Sequence, residues 1–429
     1  MPRTGISCSS SLGIRLDGNQ RPYAPGDAIT GHVYRRNHTI NTNASIVISV
    51  SGRSKTKIVL QDIDFGDTKR GRFNLISAKT QLKIFQGPIH IGAGADEHVW
   101  PFSITLPKYV NPRSLRNDKQ RESFLPLHQE DHVLPSTYMY SSDGDIQAFI
   151  EYYLTATLKF GGKNKSVEAT LPITVMRMPL NPPIPDFGLN RARSHHKIVA
   201  YRLVPGTEET KLSFYQELKQ ILQTSSVPLL AFDLIVSLPT VIQLDNPDLL
   251  PVLFHIIPSR TATSKALRDV PQQVELSFIS IRVVRTIDLL CSGILSPHSN
   301  ERSTELDLDV MDTLSKAKGG IYIPCANGSL PVDLRGMIDL RLGRHGRQYF
   351  RSPSFTTYNI RQSHSLKWEF RGAIAGQYFK AEGVSPVTLL APSDERESGR
   401  VERDEKAPLA NPGAANEPFV GPSQPIRNE

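Results

Sequence analysis

The residues best placed for metal chemistry are His128 and His132, with Glu130 and Asp131 between them. Two histidines at i and i+4 could hold zinc on one face of a helix. The segment does not match the HExxH pattern, however, and prolines flank it on both sides. Because no third ligand is evident, we predict a solvated loop here.

Sequence patterns of common catalytic and cofactor sites are missing as well. The chain has no GxSxG elbow, which is the usual signal of a serine hydrolase. Gly92-Ala93-Gly94 precedes a strand-like segment, whereas a dinucleotide fingerprint requires a helix at that point. Gly161-Gly162-Lys163 lacks P-loop spacing and is better explained as a hairpin turn. We therefore predict no enzyme activity, no cofactor and no metal.

Composition narrows the class of protein further. The chain has 429 residues, of which 39% are hydrophobic and 21% charged, as is typical of a soluble protein with a sizeable core. No run approaches the roughly 18 apolar residues of a membrane span, and the N-terminus lacks an apolar signal segment. The three cysteines, at positions 8, 291 and 325, show no CxxC spacing. We expect a cytoplasmic protein.

Charge is distributed unevenly along the chain. The whole chain carries +8, while residues 391–429 hold five Lys/Arg and eight Asp/Glu, so the first 390 residues carry +11. Such a basic body suggests phosphorylated peptides or anionic lipid headgroups as partners, although solubility alone could also explain the charge. The basic residues are scattered and match no zinc-finger, RRM or helix-turn-helix pattern, so we predict no nucleic-acid partner.

The elements that must position these charges are mostly short strands. Apolar residues alternate with polar ones over 150–160, which indicates a strand with one buried face. A Gly-Gly turn follows, and 167–175 then completes a predicted antiparallel hairpin. Helical spacing appears over 208–223, with Thr207 available as an N-cap. The pattern predicts an all-β protein built from two antiparallel immunoglobulin-like β-sandwiches.

Composition shifts divide the chain into four predicted parts. They are an N-terminal sandwich over 1–178 with a charged loop insert at 113–135, a Pro-rich basic linker over 179–225 containing the helix at 208–223, a C-terminal sandwich over 226–390, and a disordered tail over 391–429.

Several strand segments resemble the arrestin-like proteins, above all fungal-type α-arrestins with their N-terminal and C-terminal arrestin domains. The matching segments are RPYAPGDAITGHVY (21–34), IVISVSGRSKT (46–56), VWPFSITLP (99–107), VLPSTY (133–138), IEYYLTATLKF (150–160) and PSFTTYNIRQSHSLKWEF (353–370). They span about residues 12–390 in the order that the family has. The resemblance implies the arrestin fold.

The resemblance also implies non-catalytic work. Arrestin-like proteins are cytoplasmic adaptors, peripheral at the plasma membrane or endosomes, that bind the cytosolic tails of membrane transporters or receptors. The α-arrestin branch recruits a HECT-type ubiquitin ligase and so promotes ubiquitin-dependent endocytosis. An alternative within the same fold is an endosomal cargo-sorting subunit of retromer type, without a ligase role. An anionic membrane surface is a further partner that a basic body would suit.

The ligase-binding PPxY motif of the family is absent from this chain. The nearest string is Leu106-Pro107-Lys108-Tyr109, an LPxY variant that overlaps the end of a strand. Ligase recruitment is therefore either weak and direct, through Leu106, Pro107 and Tyr109, or indirect.

Clusters of basic residues are the candidate contacts for an anionic partner. They lie beside the second strand, near the next turn and in the linker; a solvated basic surface is the alternative for each. The candidates are Arg35, Arg36, Arg53, Lys55, Lys57, Arg191, Arg193 and Lys197.

Overall fold

The structure is a computed structural model of the 429-residue chain. It describes residues 12–18, 22–60, 67–94, 97–115, 122–142, 145–161, 166–177, 183–207, 210–292, 298–308, 310, 320–337, 340–342 and 352–393. Most of these residues lie in β-strands, so the all-β character that the sequence predicts is confirmed. The arrangement as two immunoglobulin-like sandwiches stays a prediction.

The described residues of the N-terminal part form nine strands and one short helix. They are β1 (Gly13–Leu16), β2 (Ala28–Arg35), β3 (Thr39–Leu60), β4 (Asp67–Asn74), β5 (Gln81–Ile91), β6 (His98–Thr105), α1 (Pro112–Leu115), β7 (Tyr138–Ser142), β8 (Ile146–Phe160) and β9 (Ser166–Ile173). One sheet has the order β1-β2-β6, and another has the order β4-β3-β8-β7, with β5 added to β3 and β9 to β8.

The predicted hairpin is present, because β8 pairs antiparallel with β9 from Tyr152–Ile173 to Lys159–Ser166. Along β8 the apolar residues Tyr152, Leu154 and Ala156 are buried and the residues between them are partly exposed. Period-two burial of this kind places one face of a sheet against a core. Here it contributes to the N-terminal core, a hydrophobic cluster drawn mainly from residues 12–175.

In the C-terminal part, eleven strands of the described residues form one larger sheet. They are β10 (Leu189–Val199), β11 (Leu229–Pro239), β12 (Val241–Gln243), β13 (Leu253–Pro258), β14 (Gln272–Cys291), β15 (His298–Asp307), β16 (Ile321–Cys325), β17 (Val332–Asp333), β18 (Phe355–Thr356), β19 (Ile360–Ile374) and β20 (Gln377–Leu390). The main order is β10-β11-β13-β16-β14-β19-β20-β12, with β15, β17 and β18 attached at its sides. Buried residues of 187–389 form the C-terminal core.

The two cores meet through the ends of β14 and β19. Ile287 and Leu289 of β14, and Tyr358 and Ile360 at the start of β19, are buried in the N-terminal core although they follow the first 280 residues. The backbone N–H of Ser292 also donates to the carbonyl of Arg70 on β4 at 3.2 Å. The end of β14 is therefore packed against the β3–β4 part of the other sheet.

Residues 189–199 differ from the sequence prediction, which placed them in an exposed basic linker. They form β10, paired along its full length with the apolar strand β11. Charged and polar residues make the segment a poor strand by composition, but pairing with a buried neighbour overrides that local preference. Ile198 is buried, and Ala192 packs against the C-terminal core.

The helix at the junction is shorter than the predicted span of 208–223. Helix α2 covers Phe214–Ile221, and its N-cap is Ser213 in a capping box with Gln216. Thr207, the predicted cap, instead donates its hydroxyl to the carbonyl oxygens of Tyr201 and Val204.

Parts of three further predictions fall on residues that the structure does not describe. They are 116–121 of the charged insert, 208 and 209 of the predicted helix, and 394–429 of the predicted tail.

Short 3₁₀ turns occur at Tyr201–Leu203, Lys265–Leu267 and Leu334–Gly336. Within the described ranges, neither α1 nor α2 has the length and apolar character that crossing a membrane requires.

Candidate anion-binding face

Five cationic side chains meet on one surface of the β3–β4 pair. Antiparallel pairing sets Lys55 opposite Arg72 and Lys57 opposite Arg70, and it sets Arg53 opposite Asn74. Residues directly opposite each other in an antiparallel pair point to the same side of the sheet. We refer to Arg53, Lys55, Lys57, Arg70 and Arg72 as the basic face.

Alternation along β3 explains why these cations share a side. Ser54, Thr56 and Ile58 are buried, while the basic residues between them are at least partly exposed. Successive side chains of a strand point to opposite faces, so the sequence Arg-Ser-Lys-Thr-Lys separates charge from core automatically. Strand β4 repeats the pattern, because Arg70 and Arg72 are exposed on either side of the buried Gly71.

Glu151 on β8 forms ion pairs at one end of the basic face. Its Oε1 accepts from Arg53 Nε at 2.7 Å and lies 2.6 Å from Lys55 Nζ. The guanidinium of Arg53 also lies 5.0 Å from the ring centroid of Tyr153. One carboxylate therefore holds two cations in place at this end.

The pKa of Lys55 is lowered by its surroundings in the basic face. Burial lowers this pKa, and the neighbouring charges of Arg53 and Arg72 lower it further, while Glu151 opposes the shift. Burial and like charges both disfavour the ammonium form. A bound anion would oppose the effect of the like charges and favour the charged lysine.

The opposite side of β3 carries a buried polar joint between the two cores, formed by Ser54, Thr56, Cys291 and Asn359. Ser54 Oγ donates to Asn359 Oδ1 at 2.5 Å, and Asn359 Nδ2 donates to Thr56 Oγ1 at 3.3 Å. Thr56 Oγ1 donates to the Leu290 carbonyl at 2.6 Å, and Cys291 Sγ lies 3.3 Å from that hydroxyl. The strand that displays the basic face is thus hydrogen-bonded to β14 and the start of β19.

The sequence prediction missed Arg70 and Arg72, as well as the polar joint. The alternation in Thr68-Lys69-Arg70-Gly71-Arg72 was the available signal for the arginines, since it places two of them on one side of a strand. Asn359 falls inside the TYN segment that carries the family resemblance. Its partner Ser54 is 305 positions away, so no local pattern could link them.

Arg35 and Arg36 do not belong to the basic face. Arg35 is only 7% exposed, and its Nε donates to Thr39 Oγ1 at 2.5 Å. This burial corrects its prediction as a surface contact, because β2 turns the side chain inward, beside the ring of Phe160. Arg36 is exposed and pairs with Glu97 at 2.9 Å.

The candidates Arg191, Arg193 and Lys197 do not belong to the basic face. They lie on β10 of the eleven-stranded sheet. All three are exposed, together with His195. Arg193 forms an ion pair with Asp233 on β11, and His195 Nδ1 lies 3.1 Å from the same carboxylate.

The candidate ligase motif is fixed within the fold. Leu106 is fully buried, its N–H donates to the Asp27 carbonyl at 2.9 Å, and its carbonyl accepts from Gly26 at 3.0 Å. Pro107 follows it, and Tyr109, which is 42% exposed, bridges to Val133. A ligase that required the Leu106 side chain would have to extract it from the N-terminal core.

One histidine of the charged insert, His132, has a structural role. His132 Nδ1 lies 2.9 Å from the Tyr358 hydroxyl, which ties the insert to the C-terminal part. Gln129 donates to Asp131 on the exposed side of the loop. Among the described residues, no group of three or more His, Cys, Asp or Glu side chains is arranged to hold a metal ion.

Comparison with known proteins does not identify a family or a function for this chain. No protein-family model matches the chain, and no curated protein matches it.

Proposed function

We propose that the protein is a non-catalytic adaptor of arrestin-like architecture, with two immunoglobulin-like sandwiches, that binds acidic or phosphorylated segments in the cytosolic tails of membrane proteins. Binding takes place on the basic face. The adaptor works at the plasma membrane or on endosomes, and it brings its cargo to the ubiquitin-dependent endocytic machinery.

Two cross-strand pairs of cations, Lys55–Arg72 and Lys57–Arg70, are the observation that carries this proposal. Like charges directly opposite each other destabilise a sheet, by an amount on the order of 0.2–1 kcal/mol per pair. If the charges served only to keep the protein soluble, acidic residues could alternate with the basic ones. Strands β14, β15 and β19 show this arrangement, because Glu305 forms ion pairs with both Arg282 and Lys367. Concentrated positive charge on β3 and β4 suits an anionic ligand.

Phosphate is the ligand group that the basic face suits best. Each phosphate carries close to two negative charges at neutral pH and offers three acceptor oxygens. Arginine binds such oxygens through two parallel N–H groups, and lysine adds a point charge. Arg70 and Arg72 are exposed at the edge of the sheet, where a flexible tail can reach them.

The burial of Leu106 favours a second candidate function. If the LPxY string stays in the fold, direct ligase recruitment through it is unavailable. A sorting subunit that gathers cargo on endosomes without a ligase would then use the same basic face.

Fluorescence anisotropy with a doubly phosphorylated peptide and its unphosphorylated twin tests the basic face. The double variant Lys57→Gln/Arg70→Gln should weaken binding of the phosphopeptide at least tenfold, since hydrogen bonds to charged groups are worth about 1.5–3 kcal/mol each. Lys79→Gln/Lys83→Gln, at exposed lysines near and on β5, is the matched control. Equal binding by both double variants would remove the basic face from the proposal.

Affinity purification under mild crosslinking, with the intact chain and with Lys57→Gln/Arg70→Gln, separates the two functions. Recovery of a HECT ligase together with transporters, lost in the variant, supports the endocytic adaptor. Recovery of endosomal coat subunits and cargo without a ligase supports the sorting function. Cargo recovery that the variant leaves unchanged argues against both.

A further inference from the structure

Strand β10 stands at the end of the eleven-stranded sheet. Among the described residues it pairs with β11 alone, in an unbroken register from Leu189–Pro239 to Val199–Leu229. A strand in this position presents one row of backbone N–H and C=O groups that its sheet does not use.

The hydrogen bonds at the end of the ladder show which residues supply that row. The N–H of Ala200 donates to the Pro228 carbonyl at 3.1 Å, which continues the β10–β11 register by one position. In an antiparallel pair, bonded and non-bonded residues alternate, so even-numbered residues of β10 bond to β11. Strand β11 agrees, because the carbonyl of Ala231 is directed the other way and accepts from Ser259.

The odd-numbered residues therefore direct their backbone groups to the edge that faces away from β11, where no described strand pairs with β10. These same residues carry the exposed side chains Arg191, Arg193, His195 and Lys197. The inner side of the strand is anchored, since the His196 ring lies 4.8 Å from that of Phe379 and 5.6 Å from that of Phe232. Basic side chains and unused backbone groups thus coincide residue by residue.

Several other edges of the two larger sheets are shortened, irregular, covered or mixed in charge. Strand β12, at the far end of the same sheet, has three residues. Strand β5 contains Pro88 and two register shifts, and on β4 the carbonyl of Arg70 accepts from Ser292. Strand β15 is long and regular, but it carries both acidic and basic side chains. Eleven regular residues with one dominant sign of charge distinguish β10.

We propose that β10 is a strand-addition site for an extended acidic segment of a partner protein. The segment lies antiparallel to β10 and continues the sheet by one strand. Its carboxylates recur at every second position, opposite Arg191, Arg193 and Lys197. A lipid headgroup could satisfy the side chains but offers no ladder of N–H and C=O groups for the strand edge, so a polypeptide is the occupant. This site does not depend on the basic face.

The backbone ladder gives the proposal its sharpest test. The probe is an eleven-residue peptide in which Glu alternates with Thr, with both ends blocked and a fluorophore attached, measured by anisotropy with the full chain. In an antiparallel pair, the residues opposite Arg191 and Arg193 direct their own N–H groups at β10. N-methylation of three Glu residues should therefore weaken binding at least tenfold, whereas N-methylation of three Thr residues should change it by less than about twofold.

Loss in the Thr-methylated peptide alone would overturn the antiparallel orientation, because it would place the guest strand parallel to β10. Equal binding by both methylated peptides would overturn the proposal, because attraction between charges does not depend on which N–H is blocked. The peptides have the same charge and differ only in methyl position, so each is the control for the other.

Protein variants locate the site. Arg191→Gln/Arg193→Gln/Lys197→Gln should weaken the unmodified peptide about tenfold, with a smaller loss at higher salt. Lys57→Gln/Arg70→Gln should leave this peptide unaffected, which separates failure here from failure of the basic face. Circular dichroism of the triple variant checks that the chain as a whole is still folded. A folded triple variant that binds as tightly as the original chain would overturn the assignment to β10.

Discussion

Lys57 on β3 lies directly opposite Arg70 on β4, so two cations occupy one cross-strand pair. Lys55 and Arg72 repeat the relationship two residues along. In each case the residues between them are buried, which prevents either strand from turning its charges away without exposing its core. The repulsion is therefore built into the register, and an anion bound to both strands would relieve it.

Arg70→Glu should raise stability while it lowers affinity. The substitution converts the like-charge pair with Lys57 into an opposite-charge pair, which should increase the free energy of unfolding by about 0.2–1 kcal/mol. Affinity for the doubly phosphorylated peptide should fall at least tenfold. Chemical denaturation and anisotropy measure the two quantities on the same preparation.

Lys83→Glu on β5 is the control, because it makes the same change of charge away from the basic face. It should leave both the free energy of unfolding and the affinity for the phosphopeptide nearly unchanged. Reduced stability in Arg70→Glu would show that the pair with Lys57 is not repulsive. Unchanged affinity would show that Arg70 does not contact the anion.

Local alternation made part of this arrangement predictable. The spacing of Arg53, Lys55 and Lys57 is sufficient to place them on one side of a strand, as they are in the structure, although the sequence prediction put them near a turn. The alternation over 150–160 likewise predicted the buried face of β8. Both patterns depend only on the two-residue period of a strand, which is a property of neighbouring residues.

The other features could not be predicted from local sequence patterns, because they depend on pairing between distant segments. The opposition of Lys57 and Arg70 follows from the register of β3 and β4, which no single strand encodes. Strand β10 was missed because its composition is that of a basic loop, and only β11 makes it a strand. Arg35 was misplaced for a related reason: whether a cation at a strand end turns inward depends on neighbours such as Thr39 and Phe160.

Asn359→Ala should loosen the contact between the two cores. Asn359 is fully buried, and its loss leaves the Ser54 hydroxyl without its acceptor. An unsatisfied buried polar group costs about 1–3 kcal/mol, so the free energy of unfolding should fall by that amount. Asn190→Ala, at an exposed position of β10, is the control and should change it by less than about 0.5 kcal/mol.

A double-mutant cycle with Ser54→Ala identifies the cause. If the hydrogen bond carries the effect, the double variant should be less destabilised than the sum of the two single variants. Strict additivity would show that the lost stability comes from packing around Asn359 and not from its bond to Ser54.

Ser213→Ala should weaken α2 without affecting the cores. The Ser213 side chain accepts from the Gln216 N–H, and none of the eight residues of the helix is buried. Removing such a cap costs a helix about 0.5–2 kcal/mol, so hydrogen exchange in 214–221 should accelerate severalfold or more. The global free energy of unfolding should stay unchanged, because the cores make no use of α2. Ser225→Ala, at an exposed serine beyond the C-terminal end of α2, is the control, and its exchange in 214–221 should match that of the original chain. A large global loss in Ser213→Ala would contradict this account.

His364 should make stability depend on pH between about 4 and 6.5. Burial lowers the pKa of its imidazole from 6.5 to about 4, and the charge of Arg285 adds to the effect. In this interval the folded protein keeps the ring neutral, with Nδ1 2.9 Å from the Ser354 hydroxyl, while the unfolded chain takes up a proton. Stability contributed by the neutral ring is therefore fully present above pH 6.5 and falls as the pH drops toward 4, by about 3 kcal/mol in all.

Free energies of unfolding at pH 7.5, 6.0, 5.0 and 4.5 measure this loss in the original chain and in His364→Gln. Other groups titrate in the same interval, among them His196, whose pKa burial also lowers. They are common to both proteins, so the difference between the two curves isolates His364. The variant should lose stability less steeply with acid, and the exposed His128→Gln should follow the original curve. A difference that stays constant across the four pH values would show that the folded chain protonates His364 as readily as the unfolded one, in conflict with its burial beside Arg285.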